Sequence, residues 1–232
     1  MLANSSLQAQ EKGDFNWGVR AGVIYGGPIP NEVDPDSSEG APGLGPSLAA
    51  TFSYQLTPRL RLSAEVGFSL KSVEYGRLFR QDTLVPIELL PGIVDTVPSF
   101  YYADVTGKMG LYYLEIPILA DYQIRERWRL QGGINTSVFV GGKDEGQAEI
   151  QIGEGGIFED RTFEFENSED INRVDFGFVL GSAYEFPTGF WIGVRGYRSI
   201  RDLYRKGFLA AQGLGDTRLY QTQFYLNAGY WF

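Results

Sequence analysis

Carboxylates, lysines and arginines are the only side chains this chain offers for acid–base or metal chemistry near neutral pH, because its 232 residues contain no histidine and no cysteine. Catalytic triads built on histidine, imidazole or thiolate metal sites, and disulfides are therefore excluded. The charged residues fall into two sets. The first is the segment from Gly141 to Ile171, where Asp144, Glu145, Glu149, Glu154, Glu159, Asp160, Glu164, Glu166, Glu169 and Asp170 stand against Lys143 and Arg161. Hard divalent cations take clustered carboxylates, yet this spacing matches no calcium-loop pattern, and a solvated acidic face is the plainer expectation. A carboxylate-only hydrolase using Glu164 or Asp170 is the single enzymatic option these residue types leave open. The second set is dispersed: Arg20, Arg61, Lys71, Arg129 and Arg195 against Glu65, Glu115, Asp121, Asp175 and Glu185. Eight of these ten sit between two apolar neighbours, and that placement points to the elements that carry them.

The chain ends Tyr220-Gln-Thr-Gln-Phe-Tyr-Leu-Asn-Ala-Gly-Tyr-Trp-Phe232. Alternate residues back from the end are Phe232, Tyr230, Ala228, Leu226, Phe224, Thr222 and Tyr220; those between are mostly polar or small. A period of two predicts a β-strand, here one long enough to cross a membrane with lipid on one face. Seven further segments share the pattern: 15–25, 44–54, 60–71, 111–123, 128–140, 174–185 and 190–197. In the third, Leu60, Leu62, Ala64, Val66, Phe68 and Leu70 alternate with Arg61, Ser63, Glu65, Gly67, Ser69 and Lys71. Connections at 56–58, 124–127 and 186–189 are minimal, whereas 26–43, 72–110, 141–172 and 199–218 are long. Loops sorted by length onto two rims predict an all-β, eight-stranded, antiparallel, up-and-down transmembrane β-barrel with short periplasmic turns and long extracellular loops. An even strand count then puts both termini in the periplasm. No apolar run reaches the ~18 residues of a transmembrane helix, and the mean hydropathy of −0.18 is compatible with a barrel because alternation hides its lipid face.

Energetics fix which face is inside. Turning the polar row to lipid exposes five basic residues, each costing ~2–4 kcal/mol at mid-bilayer, roughly 10–20 kcal/mol as an upper bound. An apolar-lined soluble carrier barrel is the reverse of this pattern. A barrel of ~8 strands is just wide enough for side chains to fill it, so the expected interior is an ion-pair and hydrogen-bond network around Arg20, Arg61, Glu65, Glu115 and Arg195. The alternative is a small selective channel; paired charges favour the plug.

Two strings carry a family likeness. Gly18-Val-Arg-Ala-Gly22 and Tyr113-Leu-Glu-Ile-Pro-Ile-Leu119, with Ser199-Ile-Arg-Asp-Leu203 after the seventh strand, resemble the PorT-like outer-membrane β-barrel family, small barrels of OmpA- or OmpX-like architecture. The resemblance runs from about Phe15 to Phe232 and implies an outer-membrane location in a two-membrane bacterium, a tie in its founding member to a secretion and gliding apparatus, and no catalytic residues. The closing aromatics Tyr230 and Phe232 resemble the signal read by the barrel assembly machinery. Residues 1–14 read as a signal-peptide remnant or a disordered N-terminus, ahead of a barrel domain at 15–232.

Function is then expected in the long loops. Leu84-Val-Pro-Ile-Glu-Leu-Leu-Pro-Gly-Ile-Val94 is apolar for an exposed loop, and Leu84, Ile87, Leu89, Leu90 and Ile93 mark either a partner site or a lid on the barrel mouth. Ala148–Ile152 and Thr162–Glu166 alternate around a glycine-rich turn and predict a hairpin above the membrane. Arg198, Arg201, Arg205 and Lys206 are placed to meet lipid phosphates or to form a charged rim. The expected partners are outer-membrane lipid, lipopolysaccharide and an outer-membrane protein met through 72–110. A net charge of −9 argues against nucleic acid. No cofactor is expected. The leading reading is a non-enzymatic partner-binding or envelope-structural barrel, possible as a subunit of a larger assembly, with a passive pore or a carboxylate-dependent hydrolase as alternatives.

Overall fold

Alternation carried far enough closes on itself. The computed structural model describes residues 13–30, 38–90, 93–152, 158–165, 170–205 and 218–232. They form β1 (Phe15–Pro30), β2 (Ser38–Thr57), β3 (Leu60–Leu90), β4 (Ile93–Arg125), β5 (Trp128–Ile152), β6 (Phe158–Phe165), β7 (Val174–Glu185), β8 (Phe190–Asp202) and β9 (Leu219–Trp231). Every pairing is antiparallel. Eight of these strands make the ring, in the order β1-β2-β3-β4-β5-β7-β8-β9, and β9 pairs back onto β1 from Trp231↔Gly18 to Leu219↔Pro30. Closure satisfies every strand's backbone groups on both sides, which is the condition for crossing a bilayer with strands.

Each expected strand is present with the expected faces. Along β3, Arg61, Ser63, Glu65, Ser69 and Lys71 are buried inside, while Leu62, Val66 and Phe68 are exposed outside. The same holds at the end of the chain, where Gln221, Gln223 and Asn227 are buried while Phe224 and Leu226 are exposed. The tight connections match too: Phe186 and Phe190 exchange a backbone hydrogen bond across a turn in which Gly189 adopts a φ of 83°. That left-handed conformation disfavours any side chain bearing a Cβ.

The long side differs from the sequence expectation. Residues 72–110 are no irregular loop but a hairpin, β3 running on to Leu90 and β4 starting at Ile93. Pairing continues from Lys71↔Leu111 to Glu88↔Val94 with no interruption of register. The reason is visible in retrospect: the returning arm 93–110 is rich in Val, Thr, Tyr and Phe, and a pre-existing strand pair needs no new nucleus to lengthen. A second hairpin, β5–β6, rises beside it, with Asp144↔Phe165 to Gln151↔Phe158 in register. Its return arm begins at Phe158, four residues before the expected Thr162. β4 and β5 pair as far as Tyr101↔Ile152, so the two hairpins form one sheet continuous with the wall. A one-residue bulge at Val140, between Tyr112↔Gly141 and Tyr113↔Phe139, marks where that sheet leaves the ring. The expectation for residues 1–14 falls almost entirely outside the described residues.

Candidate functional site

Among the described residues, the fold gathers its chemically capable side chains in the interior. Glu65 on β3 sits at its centre. Arg20 on β1 donates from Nε to Glu65 Oε2 at 2.9 Å, and Arg195 on β8 approaches Oε1 with Nη2 at 2.7 Å. Arg20 and Glu65 are each 2% exposed. One carboxylate thus takes two guanidinium groups, Arg20 from β1 two strands away and Arg195 from β8 across the bore, an arrangement in which charge-assisted bonds are short and strong. Arg20 also donates to Ser47 Oγ and Asn227 Oδ1 at 3.2 and 2.8 Å. Gly22 makes room for this: a Cβ there would meet Asn227 Oδ1 at 2.4 Å.

From this triad the network runs toward the short-turn end. Arg195 Nε donates to Gln131 Oε1 at 2.8 Å, and Gln131 Nε2 donates to Asp121 Oδ1 at 2.9 Å. Asp121 accepts from Ser63 Oγ at 3.0 Å and pairs with Arg61 at 3.2 Å. Arg61 and Arg129 share Glu185, at 3.4 and 2.9 Å. The floor is aromatic: the Arg61 guanidinium lies 4.6 Å from the Trp231 ring centre, and Trp231 stacks with Trp191 at 6.4 Å.

A second network occupies the long-hairpin end of the bore. Lys71 and Glu115 pair at 3.1 Å, and the ammonium also faces the Tyr113 ring at 4.3 Å. The Tyr225 hydroxyl donates to Glu115 Oε1 at 2.9 Å; Gln223, Gln221 and Tyr113 continue the chain through contacts of 2.6 and 2.7 Å. Asp175 accepts from the Tyr197 and Ser199 hydroxyls at 2.7 and 2.6 Å. Above these, Val73, Met109, Leu111, Tyr113, Phe139, Ile171 and Leu203 close the bore with an apolar cap. Tyr204 packs against it, its phenol pushed up to about 12 by burial and then by the nearby charges of Asp144 and Asp170.

Of the five residues expected to interlock, Arg20, Arg61, Glu65 and Arg195 lie in the first network and Glu115 in the second. Sequence reasoning had Lys71, Asp121, Arg129, Asp175 and Glu185 on the inward face without assigning partners. The tyrosines that bridge the second network also stood on inward rows, and their signal was available: a large phenol on a polar row requires an interior acceptor. The cap was missed because Ile171 and Leu203 lie in connections, where a period of two gives no guidance.

The loop residues are placed by backbone alone. Leu84, Ile87, Leu89 and Leu90 belong to β3 and Ile93 to β4, with Leu84 opposite Pro98, Ile87 opposite Asp95 and Leu90 opposite Ile93; their side chains lie outside the described ones. In the acidic hairpin the register sets Glu145 opposite Glu164 and Glu149 opposite Asp160. Among the described residues no group of three or more carboxylates converges as a metal site. Tyr230 and Phe232 face outward, and the Phe232 ring stacks on Trp17 at 4.3 Å where the last strand meets the first.

A ring of eight strands, lipid-facing outside and filled with paired charges inside, defines a small integral membrane β-barrel. The chain belongs to the family described as outer membrane protein beta-barrel domain, whose model matches residues 8–205, and it is accordingly an outer-membrane barrel protein. No match was found among curated proteins. Among solved structures it is similar to Ail, the attachment invasion locus protein of Yersinia pestis, in complex with the heparin analogue sucrose octasulfate, at 14% identity and a TM-score of 0.40 over 96% of this chain and 100% of that one. It is also similar to Neisserial surface protein A, at 9% identity and TM-score 0.38 over 92% and 96% of the two chains. The Escherichia coli outer membrane protease OmpT matches at 10% identity and TM-score 0.33, covering 96% and 99%. At these values the likenesses concern strand architecture and say nothing of activity.

Proposed function

We propose that this protein is a non-enzymatic outer-membrane barrel with a closed bore, of the PorT-like kind, acting through its tall hairpins as a partner-binding or envelope-structural component. In this reading the β3–β4 and β5–β6 hairpins stand outside the cell and both termini face the periplasm. The observation that carries the reading is the Arg20–Glu65–Arg195 bridge, whose contacts of 2.9 and 2.7 Å tie opposite sides of the bore together with paired charge. With the interior committed to pairing, the surfaces available for recognition are the hairpin sheet and the lipid face. The strand pairing that carries Leu84, Ile87, Leu89 and Leu90 along one arm and starts the other at Ile93 supplies a hydrogen-bonded backbone frame for an outer-membrane protein partner, and ordering in advance lowers the cost of binding.

The test is a pull-down from mildly solubilised outer membranes with the intact chain and with a version lacking 83–98. A stoichiometric protein partner lost on deletion is the expected result. Recovery of the barrel alone in both cases would remove the partner-binding reading and leave the envelope-structural one, and lipid A or peptide hydrolysis dependent on Glu164 or Asp170 would overturn the non-enzymatic one.

A further inference from the structure

Among the described residues the lipid-facing wall is recessed over Gly196. The outward row of β8 reads Phe190, Ile192, Val194, Gly196, Arg198 and Ile200. Gly196 stands opposite Leu180 on β7 and Phe224 on β9. Backbone geometry makes no demand for glycine here: its φ lies outside the left-handed region, and a Cβ would have the Leu180 carbonyl oxygen and the Phe224 ring as nearest neighbours, both at an ordinary 3.9 Å. What the missing side chain supplies is depth. A cleft of about 600 Å³ opens over Gly196, with Leu180, Val194, Phe224, Leu226 and Val23 among its walls. Leu180, Phe224 and Leu226 are 72%, 62% and 64% exposed, among the highest values for large apolar residues in the protein. They flank the cleft rather than fill it.

Arg198 lies two residues along the same strand and on the same face, ~7 Å further toward the long-hairpin end. It is exposed, donates to the Thr222 hydroxyl, and its guanidinium lies 5.4 Å from the Tyr220 ring centre. Both partners are neutral, and among the described residues no carboxylate pairs with Arg198, which stands beside Tyr220 near the start of β9. Arg201, next along, is likewise exposed and donates to the Val174 carbonyl, again a neutral acceptor. An unneutralised arginine on a lipid-facing strand is tolerated only near an interface, and its planar fork matches a phosphate.

We infer that the Gly196 cleft and Arg198 together seat one molecule of the phosphorylated glycolipid of the outer leaflet, an acyl chain in the cleft and a phosphate on the guanidinium. The inference rests on the proposed orientation, since it is the outward position of the long-hairpin end that makes the neighbouring headgroups those of the glycolipid. The two elements act on different parts of one ligand. The cleft reads the chain and Arg198 reads the charge, so they separate by mutation.

The experiment is native mass spectrometry of the purified barrel, offered bisphosphorylated lipid A, its dephosphorylated form with the same chains, and phosphatidylethanolamine. One bisphosphorylated lipid per barrel should survive activation, with retention about tenfold above the dephosphorylated form, as expected for the loss of a charge-assisted contact. Gly196→Leu fills the cleft without touching backbone and should abolish that retention. Arg198→Gln should keep chain binding and lose the preference for phosphate. Ala50→Leu, on the lipid face elsewhere, should change nothing, and heat-modifiable migration on gels reports that each variant folds. Equal retention by wild type and Gly196→Leu, or displacement by phosphatidylethanolamine as readily as by lipid A, overturns the seat. Whole-cell labelling of Thr162→Cys, exposed on the β5–β6 hairpin, reports orientation separately: an unlabelled hairpin sinks the choice of leaflet, whereas a labelled hairpin with no retained lipid sinks the seat itself.

Discussion

Glu65 is the residue on which the interior turns, because two guanidinium groups depend on one carboxylate that water barely reaches. Burial of charge is tolerated only through pairing, so the three side chains form a unit whose parts are not independently dispensable. Glu65→Gln keeps the shape and removes the charge, stranding Arg20 and Arg195 in the bore. Urea unfolding of the barrel in lipid vesicles should show a loss of about 3–5 kcal/mol. Glu65→Gln combined with Arg195→Met removes one of the stranded cations and should recover part of that loss, with a coupling between the two sites that simple additivity would not give. If the single and double variants unfold alike, the triad is not a unit. At this scale the sequence had gone as far as naming the residues: alternation gives the side a residue faces, but Arg61 and Glu65 are neighbours on one row, and nothing in the order of residues says that one turns to Asp121 and the other to Arg20.

At the scale of elements, the ring strands and the hairpins are held by different forces. The ring strands are closed on both edges and sit in lipid, while β6 pairs with β5 alone. Its register also places Glu145 against Glu164 and Glu149 against Asp160, like charges directly opposite across the ladder. Such pairs destabilise a sheet, and salt screens exposed charges over a Debye length of ~8–10 Å near physiological ionic strength. Amide exchange in Phe158–Phe165 should therefore slow as sodium chloride is raised, while exchange in β8 and β9 stays unchanged. Exchange in β6 that is indifferent to salt would mean the carboxylates are neutralised by some other means. The hairpin itself was legible from the alternation on each side of Gly153-Glu-Gly-Gly156. The much longer β3–β4 hairpin was not, because Pro86 and Pro98 within an apolar stretch read as a loop, and only pairing with an established neighbour lets an edge-tolerant strand absorb them.

For the molecule as a whole, three layers of side chains cross the bore: Arg61 with the indoles of Trp191 and Trp231, the Glu65 triad, and the apolar cap of Val73, Leu111, Phe139, Ile171 and Leu203. Planar-bilayer recordings should find no unitary conductance. Removing the cap with Ile171→Ala and Leu203→Ala should still open no path, since the ion pairs beneath remain; a channel in the wild type would contradict the closed bore outright. Closure of this kind moves function to the surface, and the cleft over Gly196 and the sheet of β3 to β6 are the surfaces the fold makes distinctive.

What the sequence determined by itself was the period-two pattern and its polarity, hence eight crossing strands, an all-β barrel, a polar inside and a long-loop rim. Those are local and repetitive properties, set by the cost of placing charge in lipid, and each strand states them independently. What only the tertiary structure decided was which charge meets which, where the bore is capped, and how far the hairpins rise. Each of these depends on register between strands distant in sequence, such as Glu65 with Arg195 or Gln221 with Tyr113. A change in how strands slide past one another would leave every inward residue inward and give each a different partner.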